Sequence, residues 1–154
     1  MKWTLHIPIT LTTANARVVN GAHAATAAIY RRHRDACALA LTVAARNAGV
    51  PTFTATADAH FRYVRLVRLY TGRQRAWDSD NLVAACKALR DACQLPRLWR
   101  GRWIPGAAIV VDDSATWSAW TYAQERAADG VAAVRIEVSE PTTAGPVSAR
   151  SDER

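Results

Sequence analysis

The sequence predicts an α+β fold, a small mixed sheet of about four strands packed with two main helices. Three observations predict it. Four segments carry strand-like patterning, two stretches end in recognisable helix stops, and half of the 154 residues are hydrophobic, enough for one packed core. A chain of this length makes one domain, placed at residues 1–138, followed by a tail over residues 139–154 whose composition is that of disorder.

Lys2–Ile9 alternates apolar and polar residues (Trp3, Leu5, Ile7, Ile9) and runs into turn-prone Thr12–Ala16, which predicts a first strand and a loop. From about Ala24 to Ala48 the chain is alanine-rich and free of Pro and Gly, and Gly49-Val50-Pro51 closes it, so a long helix is expected there. Ile29, Ala36, Leu39 and Val43 suggest its apolar face. Arg31, Arg32, His33 and Arg34 crowd its first half, as a solvated face or a phosphate-facing one. Pro51–Ala57 reads as an extended edge or loop. Phe61–Tyr70 alternates as a strand, with Arg65 and Arg68 on opposite sides. A basic loop, Thr71–Trp77, leads into Asp78-Ser79-Asp80-Asn81, and Leu82–Cys93 follows as a helix stopped by Gln94-Leu95-Pro96. Arg97–Gly106, with Trp99, Trp103 and three arginines, reads as a loop or short arm. Ala107–Val111 is an apolar run ending in Asp112-Asp113-Ser114, and Trp117–Glu125 and Val131–Val138 close the domain as strands.

Twenty Lys and Arg against 13 Asp and Glu give a net charge of +7, which favours a polyanionic partner. Only Lys2 and Lys87 are lysines; every other positive side chain is arginine, whose planar fork suits phosphate oxygens. No apolar run approaches the roughly 20 residues that span a bilayer. The N-terminus also lacks a signal-peptide layout, so a soluble, cytoplasmic protein with no membrane partner is expected. Cys37, Cys86 and Cys93 show no CxxC spacing and read as buried free thiols. The four histidines show no ligand or nucleophile spacing.

Four of nine aspartates fall in two tight clusters, Asp78/Asp80 and Asp112/Asp113. Carboxylates from separate elements repel unless a cation or proton intervenes, and Mg²⁺ is held by a few carboxylates plus substrate phosphate oxygens. In an arginine-rich chain that combination points to phosphodiester hydrolysis. The plain alternative is local: Asp and Asn before a helix are N-cap residues, and Asp-Asp-Ser is turn chemistry. Lys87, seven residues past Asp80, falls on nearly the same side of the helix and could lean back toward it; equally, it is an exposed lysine near a helix end.

Asp78-x-Asp80-Asn81-Leu82, a helix carrying a lysine, and Asp112-Asp113 before a C-terminal strand resemble the RusA-like Holliday-junction resolvases of bacteria and their phages. The resemblance covers Lys2 to Val138 in order of elements; at residue level only the DxDNL stretch and the Asp pair carry it. It implies a bacterial or phage-encoded α/β homodimer that binds branched DNA and cuts four-way junctions in a Mg²⁺-dependent reaction, with Mn²⁺ as a substitute. By position, Asp78 and Asp80 match the two metal-binding aspartates, and Asp113 or its neighbour Asp112 the third. The family lysine follows DN after two intervening residues, where this chain has Ala84; Lys87 lies one turn further along the same face. The Arg97–Gly106 stretch lengthens the gap before the Asp pair and reads as an insertion serving DNA or dimer contacts.

The mechanism these residues suggest has Asp78, Asp80 and Asp113, with Asp112, holding one or two Mg²⁺ ions that activate water and polarise the phosphate. Lys87 steadies the developing charge, and Arg65, Arg68, Arg73 and Arg75 grip flanking phosphates beside Trp77 and Asn81. A DNA-binding protein without catalysis, its acids serving as caps and turns, and a nuclease for flaps or forks are the alternatives.

Overall fold

The computed structural model describes residues 1–11, 23–72 and 74–141. Six strands and two helices appear in the order β1 (Lys2–Ile7), α1 (His23–Asn47), β2 (Arg62–Tyr70), α2 (Ser79–Ala92), β3 (Arg97–Trp99), β4 (Arg102–Ile104), β5 (Ser118–Arg126) and β6 (Ala133–Ser139). The main sheet runs β1-β6-β2-β5. Its β2–β5 pair is parallel and the others antiparallel, so the expected four-stranded mixed sheet with two helices is what forms. Period-2 alternation sends Val64 and Leu66 of β2, Leu5 and Ile7 of β1, and Val134, Ile136 and Val138 of β6 into one core beneath the helices. β6 pairs with both β1 and β2 as far as Ser139, and the Glu140 amide donates to the Met1 carbonyl at 3.1 Å. The fold therefore runs past the boundary expected at residue 138. Among the described residues no helix is long and apolar enough to cross a membrane.

Two expectations about local structure change. The buried side of α1 is Arg34, Cys37, Ala38, Leu41 and Ala45, while Ile29, Leu39 and Val43 are exposed on the nearly opposite side. Cys37, Ala38 and Ala45 keep most of the inner face small, so α1 lies close against both β1 and α2, with Leu41 reaching into the core. Arg97–Gly106 is not a bare loop. β3 and β4 form a hairpin whose two-residue turn, Arg100 (φ 50°) and Gly101 (φ 73°), is left-handed at both positions. An arginine there costs roughly 1 kcal/mol relative to glycine or asparagine. The hairpin returns to the end of α2 so closely that a Cβ on Gly106 would lie 2.0 Å from the Gln94 carbonyl oxygen. Ala107–Val111 then packs as irregular chain, with the Ala107 and Ile109 amides donating to the Ala92 and Cys93 carbonyls at 2.8 Å each. The last carbonyls of α2 are thereby satisfied by backbone rather than by water. All three cysteines are buried and none forms a disulfide, and burial pushes the Cys86 thiol up to about 12.

Candidate functional site

The DxDN motif starts α2. Asp78 is its N-cap: one carboxylate oxygen accepts from the Asn81 amide N–H at 2.8 Å and the other from the Asn81 side-chain amide at 2.7 Å. Those two donors hold the Asp78 carboxyl below its ordinary pKa. Asn81 is thus the residue that orients Asp78. Asp80 stands exposed in the first turn with no ion pair or side-chain hydrogen bond among the described residues. Residues 80, 84, 87 and 91 share one face of α2, so Lys87 does lie on the Asp80 side. It leans the other way, however, with Nζ 3.2 Å from Asp91 one turn onward, where Tyr30 of α1 also donates its hydroxyl. Seven residues of rise put the Asp80 and Lys87 backbones about 10 Å apart.

The second acid pair is held near the far end of the same helix. Asp113 pairs with Arg90 of α2 at 3.3 Å, and Arg90 also donates to the Tyr122 hydroxyl of β5 at 3.3 Å. Asp112 accepts the Ser114 amide at 2.8 Å in a local turn. The backbones of Asp78 and Arg90 are about 18 Å apart along the helix axis. Among the described residues no group of three or more His, Cys, Asp and Glu side chains gathers to hold a metal ion. The donor chemistry of Asp78 and Asp80 nevertheless suits Mg²⁺, which is commonly held by one or two carboxylates and completed by water and substrate phosphate. Asp112 and Asp113 do not join them in one cage.

The residues expected to contact DNA are scattered. Arg68 is buried, its guanidinium 3.5 Å from the centre of the Trp77 ring, and donates to the Arg75 carbonyl at 3.1 Å. Gln124 of β5 clasps the Trp77 backbone, accepting its N–H at 2.9 Å and donating to its carbonyl. Arg68 and Trp77 therefore anchor the loop before α2 to the sheet and present nothing to a phosphate. Arg65 lies on the opposite sheet face, paired with Glu137 at 3.5 Å. Arg75 is exposed three residues before Asp78, and Arg73 lies outside the described residues.

Sequence reasoning did not assemble a cleft of about 690 Å³ between α1 and the hairpin, lined by Arg31, Arg34, Arg97, Trp99, Arg100 and Arg102. Hairpin register explains the lining: Arg97, Trp99, Arg102 and Ile104 share one face, and Leu98 and Trp103 share the other. The signal was present in Trp99-Arg100-Gly101-Arg102, a glycine-bearing two-residue turn between short strands. The chain matches no protein-family model, no curated protein and no solved structure.

Proposed function

We propose that this protein is a Mg²⁺-dependent endonuclease that resolves branched DNA, four-way junctions above all. The observation that carries this reading is the start of α2, where Asp78 is fixed by Asn81 while Asp80 is exposed and unpaired among the described residues. Asp80, Lys87 and Asp91 follow one another on one face of α2, and Asp91 meets Tyr30, the neighbour of Arg31 in the arginine cleft. Asp78 and Asp80 are the residues that would hold the ion. A bound Mg²⁺ supplies an activated water and neutralises phosphate charge. Asn81 keeps Asp78 from swinging away, Arg75 is exposed three residues before Asp78, and Lys87 offsets the charge of Asp91 along the strand's path.

A labelled four-way junction, incubated with Mg²⁺ and separately with EDTA, tests the reading. Metal-dependent paired cuts are expected. Asp80→Asn is expected to lower cleavage at least 100-fold while junction binding persists. Asp78→Asn is expected to do the same without loosening α2, because asparagine caps as well as aspartate. Binding without cuts overturns the nuclease reading in favour of a non-catalytic binder. That second reading draws on the acids being separately engaged as cap, turn and ion pair. Cuts confined to flaps or forks replace the junction substrate.

A homodimer belongs to the same proposal. Ile29, Leu39 and Val43 are 52%, 70% and 52% exposed along one side of α1, an apolar stripe suited to a twofold contact. Light scattering of the wild-type chain and of Leu39→Glu checks it, with a dimer expected to become a monomer.

A further inference from the structure

We propose that the cleft between the first half of α1 and the β3–β4 hairpin binds an unpaired nucleic-acid strand, phosphates on its arginines and a base on Trp99. The proposal rests on DNA being the partner in the reading above, and it adds a site distant from the acids.

Charge complementarity makes the case. Five guanidiniums line the cleft, and the carboxylate at its edge is Asp35, bound to Arg34 at 2.6 Å and 4.0 Å from Arg102. Arg31 and Arg100 make no ion pair among the described residues, and Arg97 donates to the uncharged Gln94 side chain. Such an excess of planar donors is matched by a row of phosphates. Trp99 is 59% exposed on the same hairpin face, with the Arg100 guanidinium 5.8 Å from its ring centre. An exposed indole between arginines is a platform for an unstacked base, which a duplex does not offer. The turn adds an independent sign, since Arg100 occupies a left-handed position that disfavours it, and such cost persists where a side chain is used. Geometry links the cleft to the acids. Tyr30, next to Arg31, donates to half-buried Asp91 of α2, and Asp91 shares one helix face with exposed Asp80, about 16 Å away by helical rise. An unpaired strand, more extended than the duplex rise of roughly 3.4 Å per nucleotide, crosses that face in at most about five nucleotides.

Fluorescence anisotropy of a labelled strand of about 12 nucleotides, measured with the full chain in EDTA, tests this without cleavage. Arg31→Gln combined with Arg102→Gln is expected to weaken strand binding at least tenfold and to flatten the salt slope by about 1.4. Trp99→Ala is expected to weaken it about tenfold with the slope unchanged. Arg100→Asn, better suited to the turn, is expected to keep or raise the Tm while weakening binding, which separates function from folding. Unchanged affinity in these variants overturns the proposal, as does equal affinity for a blunt duplex or for poly-glutamate. The two readings fail separately. Variants that cut and bind as wild type remove the cleft alone. Lost strand affinity in a protein that never cuts supports the cleft and removes the nuclease.

Discussion

Arg62 shows what one charged residue does for this fold. It is fully buried, donates to the Pro51 and Ile109 carbonyls at 2.7 and 2.8 Å, and pairs with Glu140 at 3.0 Å beneath the Phe53 ring. One guanidinium thereby ties together three segments: the chain after α1, the irregular chain before the acid pair, and the residue that follows β6. Burial lowers the Arg62 pKa, and the Glu140 contact opposes that. For Glu140, burial disfavours the charge, but His60 and Arg62 outweigh it and its pKa falls below the ordinary value. A lowered carboxylate stabilises the fold above its unfolded pKa and loses that contribution as pH falls through the folded value. Glu140→Gln is therefore expected to cost about 2 kcal/mol at pH 7, since a buried cation loses its charged partner. The gap to wild type narrows steadily below about pH 4.5. Urea unfolding of both proteins at pH 7 and pH 3.5 checks this, and an equal gap at both values refutes it.

At the scale of elements, the end of α2 is where chain path and candidate site depend on one another. The Gly106 Cα lies so near the Gln94 and Leu95 backbone that a methyl group meets peptide atoms rather than a movable side chain. Gly106→Ala is expected to cost about 3 kcal/mol, roughly 9 °C in Tm for a chain of this size, by prising the hairpin from the helix. Thermal unfolding measures it, and a loss under about 2 °C would mean that the junction relaxes freely. This part of the fold was poorly legible in sequence, because long-range backbone contacts leave no periodic trace. The strands and α2 were legible, since alternation in Val64–Leu66 and Val134–Val138 reports burial directly. The face of α1 misled because hydrophobicity ranks Ile29, Leu39 and Val43 above Ala38 and Ala45, whereas the packed side carries small Cys37, Ala38 and Ala45 around Leu41. In the acid clusters, each local role (cap and turn) was readable from short spacing; the Arg90–Asp113 pair, joining residues 23 apart, was not.

Over the whole molecule the net charge of +7 is unevenly spread. The open face of the sheet carries a closed ladder, in which Glu137 takes Arg65 at 3.5 Å and Arg135 at 3.0 Å, and Arg135 takes Glu125 at 2.8 Å. Two arginines and two glutamates cancel there, and Arg65, expected on composition to grip DNA, is spent on the ladder. The helical side has no such balance, because the cleft sets five arginines against Asp35. A strand held mainly by Arg31, Arg97, Arg100 and Arg102 neutralises about four phosphates, for a slope of log affinity against log salt near −3. Raising NaCl from 50 to 200 mM is then expected to weaken single-strand binding about 60-fold. The ladder supplies the control that separates location from total charge. Arg65→Gln removes the same formal charge as Arg102→Gln, yet it is expected to leave the slope unchanged, whereas Arg102→Gln flattens it by about 0.7. Anisotropy titrations at four salt concentrations resolve that difference. Equal flattening by both substitutions would mean that diffuse charge, and not the helical side of the molecule, attracts the polyanion.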